Sequence, residues 1–272
     1  MEITPALFAV VAVVALLCEY MDASIGMGYG TTLSPVLLII GFLPLEAVPS
    51  VLLGQLAGGL VGGFFHHKLG NITLDFRRDE AVKKRLHGLG YLPKSLDSKV
   101  IFLLVVCGII GALVAVFFAL NIPTLVLKTY IGAMVLGIGI VILIRQNRES
   151  NFSWKGLIII GLISSFNKGA SGGGYGPLVT GGQLISGRES KSSIGSTTLA
   201  EALVCIVAFV SYVIIKGDIY WTLAAATSIG SIIAAPFAAM TVNKANTTKL
   251  KLVIGVITCI LGALTLAKVF IF

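Results

Sequence analysis

Two groups of polar residues stand out because nearly everything around them is apolar. Glu19, Asp22, Ser24 and Tyr29 lie in the stretch EYMDASIGMGYG, with Gln55 on the next hydrophobic segment but one. Asn167, Lys168, Ser171 and Tyr175 lie in FNKGASGGGYG, with Glu201 in the matching place. A lysine, a few amides and hydroxyls, and backbone N–H groups bared by glycine are the tools for holding a small anion. The candidate binding set is therefore Asp22, Ser24, Gly26, Gly28, Tyr29, Gly30 and Gln55 in the first group. In the second it is Asn167, Lys168, Ser171, Gly172, Gly173, Gly174 and Tyr175. Ionisable groups at membrane depth are costly and line a pathway or pair with one another. Lys168 reads as the anion-attracting group, against a structural ion pair with Asp22 or Glu19. Glu19, Asp22 and Glu201 are where a coupling proton could ride. Thr31, Ser50, Ser196 and Thr197 could bond a substrate, although such residues more often bond their own helix backbone.

Other chemistries fit the same residues less well. Gly169-Ala170-Ser171-Gly172 spells GxSG, an intramembrane serine-hydrolase motif, but no histidine follows His87 to serve as base. The twin stretch at 23–30 has isoleucine in the serine's place. GMGYG and GGGYG resemble potassium-channel filters, yet two oppositely oriented copies cannot supply a ring of like-oriented carbonyls. A channel-like anion pore stays open as the alternative to a transporter. His66, His67 and His87 have no metal-ligand spacing and read as interface residues, so no metal, cofactor or catalytic residue is expected. The four cysteines, Cys18, Cys107, Cys205 and Cys259, are scattered packing residues without CxxC spacing.

The elements that must position these groups follow from composition. Of 272 residues, 56% are hydrophobic and 12% charged, with mean hydropathy +0.99; soluble domains carry about 25% charged residues. Apolar runs recur near the length of about 20 residues that a bilayer demands of a helix. The chain reads as an all-α polytopic membrane protein. MEITPALFAV lacks a basic n-region and reads as the start of the first helix. Ten segments emerge, at 5–21, 31–43, 47–67, 99–120 and 124–144, then 155–166, 176–187, 193–215, 219–241 and 249–270. Three of them, 31–43, 155–166 and 176–187, are short for a full span and could be partial or tilted helices, or arms of re-entrant hairpins.

If all ten cross, every basic residue except Lys128, Lys168, Lys216 and Lys268 falls on or beside breaks of one side. That side is then cytoplasmic, and both termini lie outside the cell membrane. The net charge of +8 follows from this distribution and not from nucleic-acid binding. The polar insert LDFRRDEAVKKRLHGLGYLPKSLD (74–97) reads as a solvated cytoplasmic loop or short helix.

Sliding the chain by 146 residues lays Gly26–Gly30 on Gly172–Gly176, Asp22 on Lys168, Ser50 on Ser196 and Gln55 on Glu201. Two units result, 1–148 and 149–272, each of about five helical segments with a glycine-broken helix or re-entrant hairpin. Five crossings per unit would make them inverted repeats, the arrangement that points to a transporter site at the repeat interface. The alternative is that the glycines only permit close helix crossings.

A first segment ending in DASIGMGYGT and a mid-chain N-x-G-A-S-G-G-G-Y-G-P resemble the sulfite exporter TauE/SafE family of membrane permeases. The resemblance implies transport of sulfite, thiosulfate, sulfoacetate or another small anion, with its motif on Asp22–Gly30 and Asn167–Pro177. A non-enzymatic secondary transporter is expected, in the cell membrane, as a monomer or homodimer. Its partners are the anion and the bilayer.

Overall fold

A computed structural model describes residues 3–78, 91–145, 153–242 and 247–271. Ten helices occur among them: α1 Pro5–Ile25, α2 Tyr29–Ile40, α3 Pro44–Lys68, α4 Leu96–Asn121 and α5 Thr124–Arg145, then α6 Trp154–Ser171, α7 Tyr175–Ile185, α8 Ser190–Lys216, α9 Trp221–Thr241 and α10 Thr247–Ile271. A short antiparallel ribbon of β1 Phe76–Arg78 and β2 Tyr91–Pro93 flanks the polar insert, where a loop or helix was expected. Residues 79–90 of the insert, with Lys83–Arg85 and His87, lie outside the described residues.

Among the described residues, six helices are long and apolar enough to cross a bilayer: α1, α3, α4, α5, α8 and α9. Val10, Val13, Phe102, Phe117, Ile214 and Phe237 are exposed on these helices, while Glu19, Asp22, Lys168 and Glu201 are buried. A soluble protein does not turn so much apolar surface outward. At 12 and 11 residues, α2 and α7 reach only about 16–18 Å at 1.5 Å per residue, well short of a hydrocarbon core.

The glycine stretches are less broken than their composition suggests. Helix α1 runs through Asp22 and Ser24 to Ile25, and α6 through Lys168 to Ser171, so only residues 26–28 and 172–174 leave the helix. Gly26 (φ 80°) and Gly172 (φ 75°) take the left-handed conformation that glycine allows without steric cost. Each closes its helix with a bond from its own N–H, to Asp22 O at 2.6 Å and Lys168 O at 2.8 Å. The chain then doubles back: Gly28 lies beside Met21, Gly174 beside Asn167, and Gly182 on α7 beside Ile160 on α6.

Small residues set the helix directions. Gly58 meets Glu19 and Gly62 meets Ala23, so α1 and α3 run the same way. Gly59 meets Ala202 and Gly195 meets His66, so α8 runs opposite to α3. The main pairings are α3 with α8 and α9, α4 with α6 and α8, α1 with α9, and α5 with α10. Exchanging the first five helices for the last five returns the same set of pairings.

Four glycines let the two breaks touch backbone to backbone. A β-carbon on Gly30 would lie 1.7 Å from Gly172 O, and one on Gly176 would lie 2.5 Å from Gly26 O. Gly137, by contrast, is a helical glycine with nothing within 4 Å of such a carbon. We expect Gly30→Ala to lower the melting temperature sharply in detergent. Gly137→Ala should be neutral or stabilising by about 0.5–1 kcal/mol, the helical penalty of glycine. Equal behaviour of the two variants would show that the breaks do not pack as described.

Candidate functional site

The polar groups converge where α1, α3, α6 and α8 pack beneath the two breaks. Asp22 caps the start of α2: its Oδ1 accepts from the Tyr29 backbone N–H at 3.1 Å, and its Oδ2 accepts from Gln55 Nε2 at 3.2 Å. A carboxylate there suits the positive end of a helix dipole. The repeat-equivalent residues, Lys168 and Glu201, meet in the corresponding way. Lys168 Nζ sits 2.7 Å from Glu201 Oε1, with the two side chains 0% and 3% exposed. The ammonium also lies 5.9 Å above the Tyr29 ring centroid, within cation–π range. Lys168 is thus paired, with Glu201 and not with Asp22 or Glu19, the two partners the sequence offered.

Most remaining candidates are committed locally. Ser24 donates to Met21 O at 3.2 Å, and Ser171 to Asn167 O at 2.6 Å; both bond their own helix. Ser171 also accepts from the Gly173 N–H at 3.1 Å, stiffening the second break. Asn167 accepts from the Tyr130 hydroxyl at 2.6 Å, which ties the break to α5. Tyr29 points away from its break, toward α9, where Ser231 donates to its hydroxyl at 2.8 Å. The Tyr175 hydroxyl is buried with no hydrogen-bond partner. The approach room at Gly30, Gly173 and Gly176 is filled by the opposing glycine stretch, at Gly26 by Thr180, and at Gly172 by Ser34 and Val51. Gly28 (φ 135°) and Gly174 (φ 83°) serve as the turn points into α2 and α7.

Several contributors were not read from the sequence. Thr180 donates to Gly26 O at 2.8 Å, supplying a partner to the first break from α7. The same shift of 146 residues that pairs the glycines also pairs Thr180 with Ser34, and this was the available signal. His66, read as an interface residue, is buried: its Nε2 lies 2.9 Å from Ala23 O and its Nδ1 3.1 Å from Asn71 Nδ2. It pins α3 to the end of α1 one turn before the first break. Near the β-ribbon, Arg188 bonds Asp97, Gln183 and Ser196, while Asp97 accepts from Thr73 N at 2.8 Å. This network joins α4, α7 and α8 at that end. The place equivalent to Arg188 is taken by Phe42, whose ring meets Tyr220 edge-on at 6.0 Å.

Two cavities lie at the periphery, away from the charged cluster. One of about 250 Å³ is lined by Leu38, Leu125, Lys128, Thr265 and Lys268; the other, of about 400 Å³, by Leu43, Glu46, Lys216 and Tyr220.

Removing one member of a buried ion pair strands the other charge, at about 3–5 kcal/mol, whereas removing both can be near neutral. We expect Lys168→Gln to lower thermal stability strongly and Lys168→Gln/Glu201→Gln to recover most of the loss. Equal melting temperatures for the single and double variants would contradict the pairing.

Residues 87–265 match the family described as Sulfite exporter TauE/SafE. Over 269 residues, 94% of this chain and 82% of the relative, the chain is 28% identical to a Bacillus subtilis (strain 168) protein named "Probable membrane transporter protein YtnM". No solved structure matches it.

Proposed function

The chain belongs to the sulfite exporter TauE/SafE family, and from that premise we propose that it exports a small sulfur-containing anion of the sulfite, thiosulfate or sulfoacetate class. It is a multi-pass membrane transporter. The observation that carries the substrate reading is the Lys168–Glu201 pair, buried beneath two glycine breaks that seal against each other. An ammonium can trade one carboxylate for another anion while keeping a charge-assisted bond. In this account the substrate draws Lys168 from Glu201. As the breaks part, N–H groups of 26–30 and 172–176 other than those of Gly26, Tyr29, Gly172 and Gly173, which are bonded within their own half, become available to it, with Gln55, Asn167 and Tyr175 selecting among anions.

The motion is alternating access. Units 1–148 and 149–272 act as inverted repeats that rock about the contact between the breaks, and the opposite directions of α3 and α8 support this relation. The structure described is then the occluded state. The Arg188–Asp97 network closes the cytoplasmic end and the Phe42–Tyr220 contact closes the other. Both termini lie outside the cell membrane, in keeping with the basic residues on the opposite side. An inside-negative potential favours exit of an anion by ~2.3 kcal/mol per charge per 100 mV, so export needs no other energy source. A hydrolase reading finds little support, since the Ser171 hydroxyl is engaged with Asn167 and Lys168 with Glu201.

Thermal-shift titration of the purified protein with sulfite, thiosulfate, sulfoacetate, sulfate and acetate tests the proposal. We expect saturable stabilisation by a sulfur anion. In Lys168→Gln/Glu201→Gln the apparent affinity should weaken about tenfold or more, the scale of a lost charge-assisted bond. Gly174→Leu should insert into the membrane yet abolish flux. No response to any sulfur anion, or an unchanged response in the double variant, would overturn the assignment.

A further inference from the structure

Carboxylate and amide oxygens at the centre of the bundle are left without donors. Asp22 is supplied by the Tyr29 N–H and the Gln55 amide, and Glu201 Oε1 by Lys168. Both oxygens of Glu19, Oε2 of Glu201 and Oε1 of Gln55 are buried with no hydrogen-bond partner. Glu19 and Gln55 are 0% exposed and Glu201 2%. The charges are unbalanced in the same sense, with three carboxyls set against the one ammonium of Lys168.

Charged and titratable groups reach Glu19 from several elements. They are Cys18 and Asp22 on α1, Tyr29 on α2, Lys168 on α6, and Glu201 and Cys205 on α8. Only Lys168 among them is cationic, and Glu201 already engages it. From α3 comes Gly58, which leaves room for the carboxyl: a β-carbon there would lie 2.9 Å from Glu19 Cδ. From α9 comes Ser231, whose hydroxyl hydrogen is directed at Tyr29 Oη or Thr227 O.

An ionised carboxylate without a donor, beside further uncompensated negative charge, is among the costliest arrangements a dry interior can hold. One proton relieves both problems. It converts an acceptor into a donor, and it lowers the net charge by one. Among the described residues no three of His, Cys, Asp and Glu converge as a metal ion would require, whereas a proton needs only one carboxyl and an acceptor.

We propose that Glu19 is the proton-binding residue of this protein and that proton and substrate anion bind together. The sequence offered Glu19, Asp22 and Glu201 as equals; the structure separates them by what each already bonds. The second half rests on the transporter reading above. An anion drawn to Lys168 releases Glu201 and adds negative charge, so it strengthens proton binding at Glu19, and the linkage is reciprocal. Proton and anion then cross in the same direction. The proton joins a Glu19 oxygen from one aqueous face and leaves it to the other, with no further change of bonds. With one proton bound, a dianion such as thiosulfate or sulfoacetate still crosses with one net negative charge, so the inside-negative potential continues to favour its exit.

Infrared spectroscopy of the protein in liposomes at neutral pH, without added anion, tests the proton site apart from transport. The carbonyl stretch of a protonated carboxylic acid should be present in the wild type. It should be lost in Glu19→Gln, with size-exclusion chromatography showing that the variant remains folded. No such band in the wild type, or an undiminished band in the variant, overturns the proposal. In proteoliposomes containing a pH-sensitive dye and sodium-free buffer, sulfite, thiosulfate and sulfoacetate are the probes for coupling. Wild-type flux should move protons with the anion, and Glu19→Gln should not. Anion flux without proton movement, proton movement at the wild-type rate in Glu19→Gln, or a requirement for sodium overturns the coupling. If the wild type carries none of these anions while the infrared band behaves as expected, the substrate reading fails and the proton site stands.

Discussion

A backbone that leaves its helix inside a membrane must find partners for its N–H and C=O groups, and the rest of this structure depends on how that demand is met. Each break is closed by its own helix, through the Gly26 and Gly172 N–H bonds, and then by the other break. Thr180 serves Gly26 O, and Gly30 and Gly176 lie on the opposing backbone without a side chain between them. Two broken helices that would each be intolerable in lipid become tolerable together. The glycines therefore act first as packing residues. Any contact they make with a substrate requires the breaks to separate.

Beneath that seal the two halves differ in charge where they agree in geometry. Asp22 with Gln55 occupies one half and Lys168 with Glu201 the other, so equivalent positions hold a hydrogen-bonded carboxylate and an ion pair. Glu19 corresponds to Ser165, whose hydroxyl is likewise buried without a partner. The extra carboxyl thus lies on one side of the pseudo-symmetry only. In the proposed mechanism the paired halves supply the contact that opens and closes, and the asymmetric charges supply a reason for it to respond to ligands.

Much of the architecture was legible in the sequence because bilayer length and hydropathy impose few solutions. The polar escorts were legible for the same reason: a carboxylate or lysine in such surroundings has no bland surface role. What the sequence could not give was partnership. For Lys168 the sequence offered Asp22 or Glu19, and the packing of α6 against α8 selects Glu201 instead. The seal between breaks needs Gly30 to meet Gly172, a contact between residues far apart in the chain. His66 read as an interface residue because its position near the end of α3 says nothing of Asn71 and Ala239 closing over it. Helix ends at Ile25 and Ser171 were missed because buried Asp22 and Lys168 continue helices that polarity alone would have ended.

The most direct measurement is an experimental structure of the protein with thiosulfate bound, its sulfur atoms located by anomalous scattering. The account predicts sulfur density within hydrogen-bonding distance of Lys168 Nζ, with Glu201 released and the glycine breaks parted. Thiosulfate bound elsewhere, with the Lys168–Glu201 pair intact and the breaks still in contact, would contradict it.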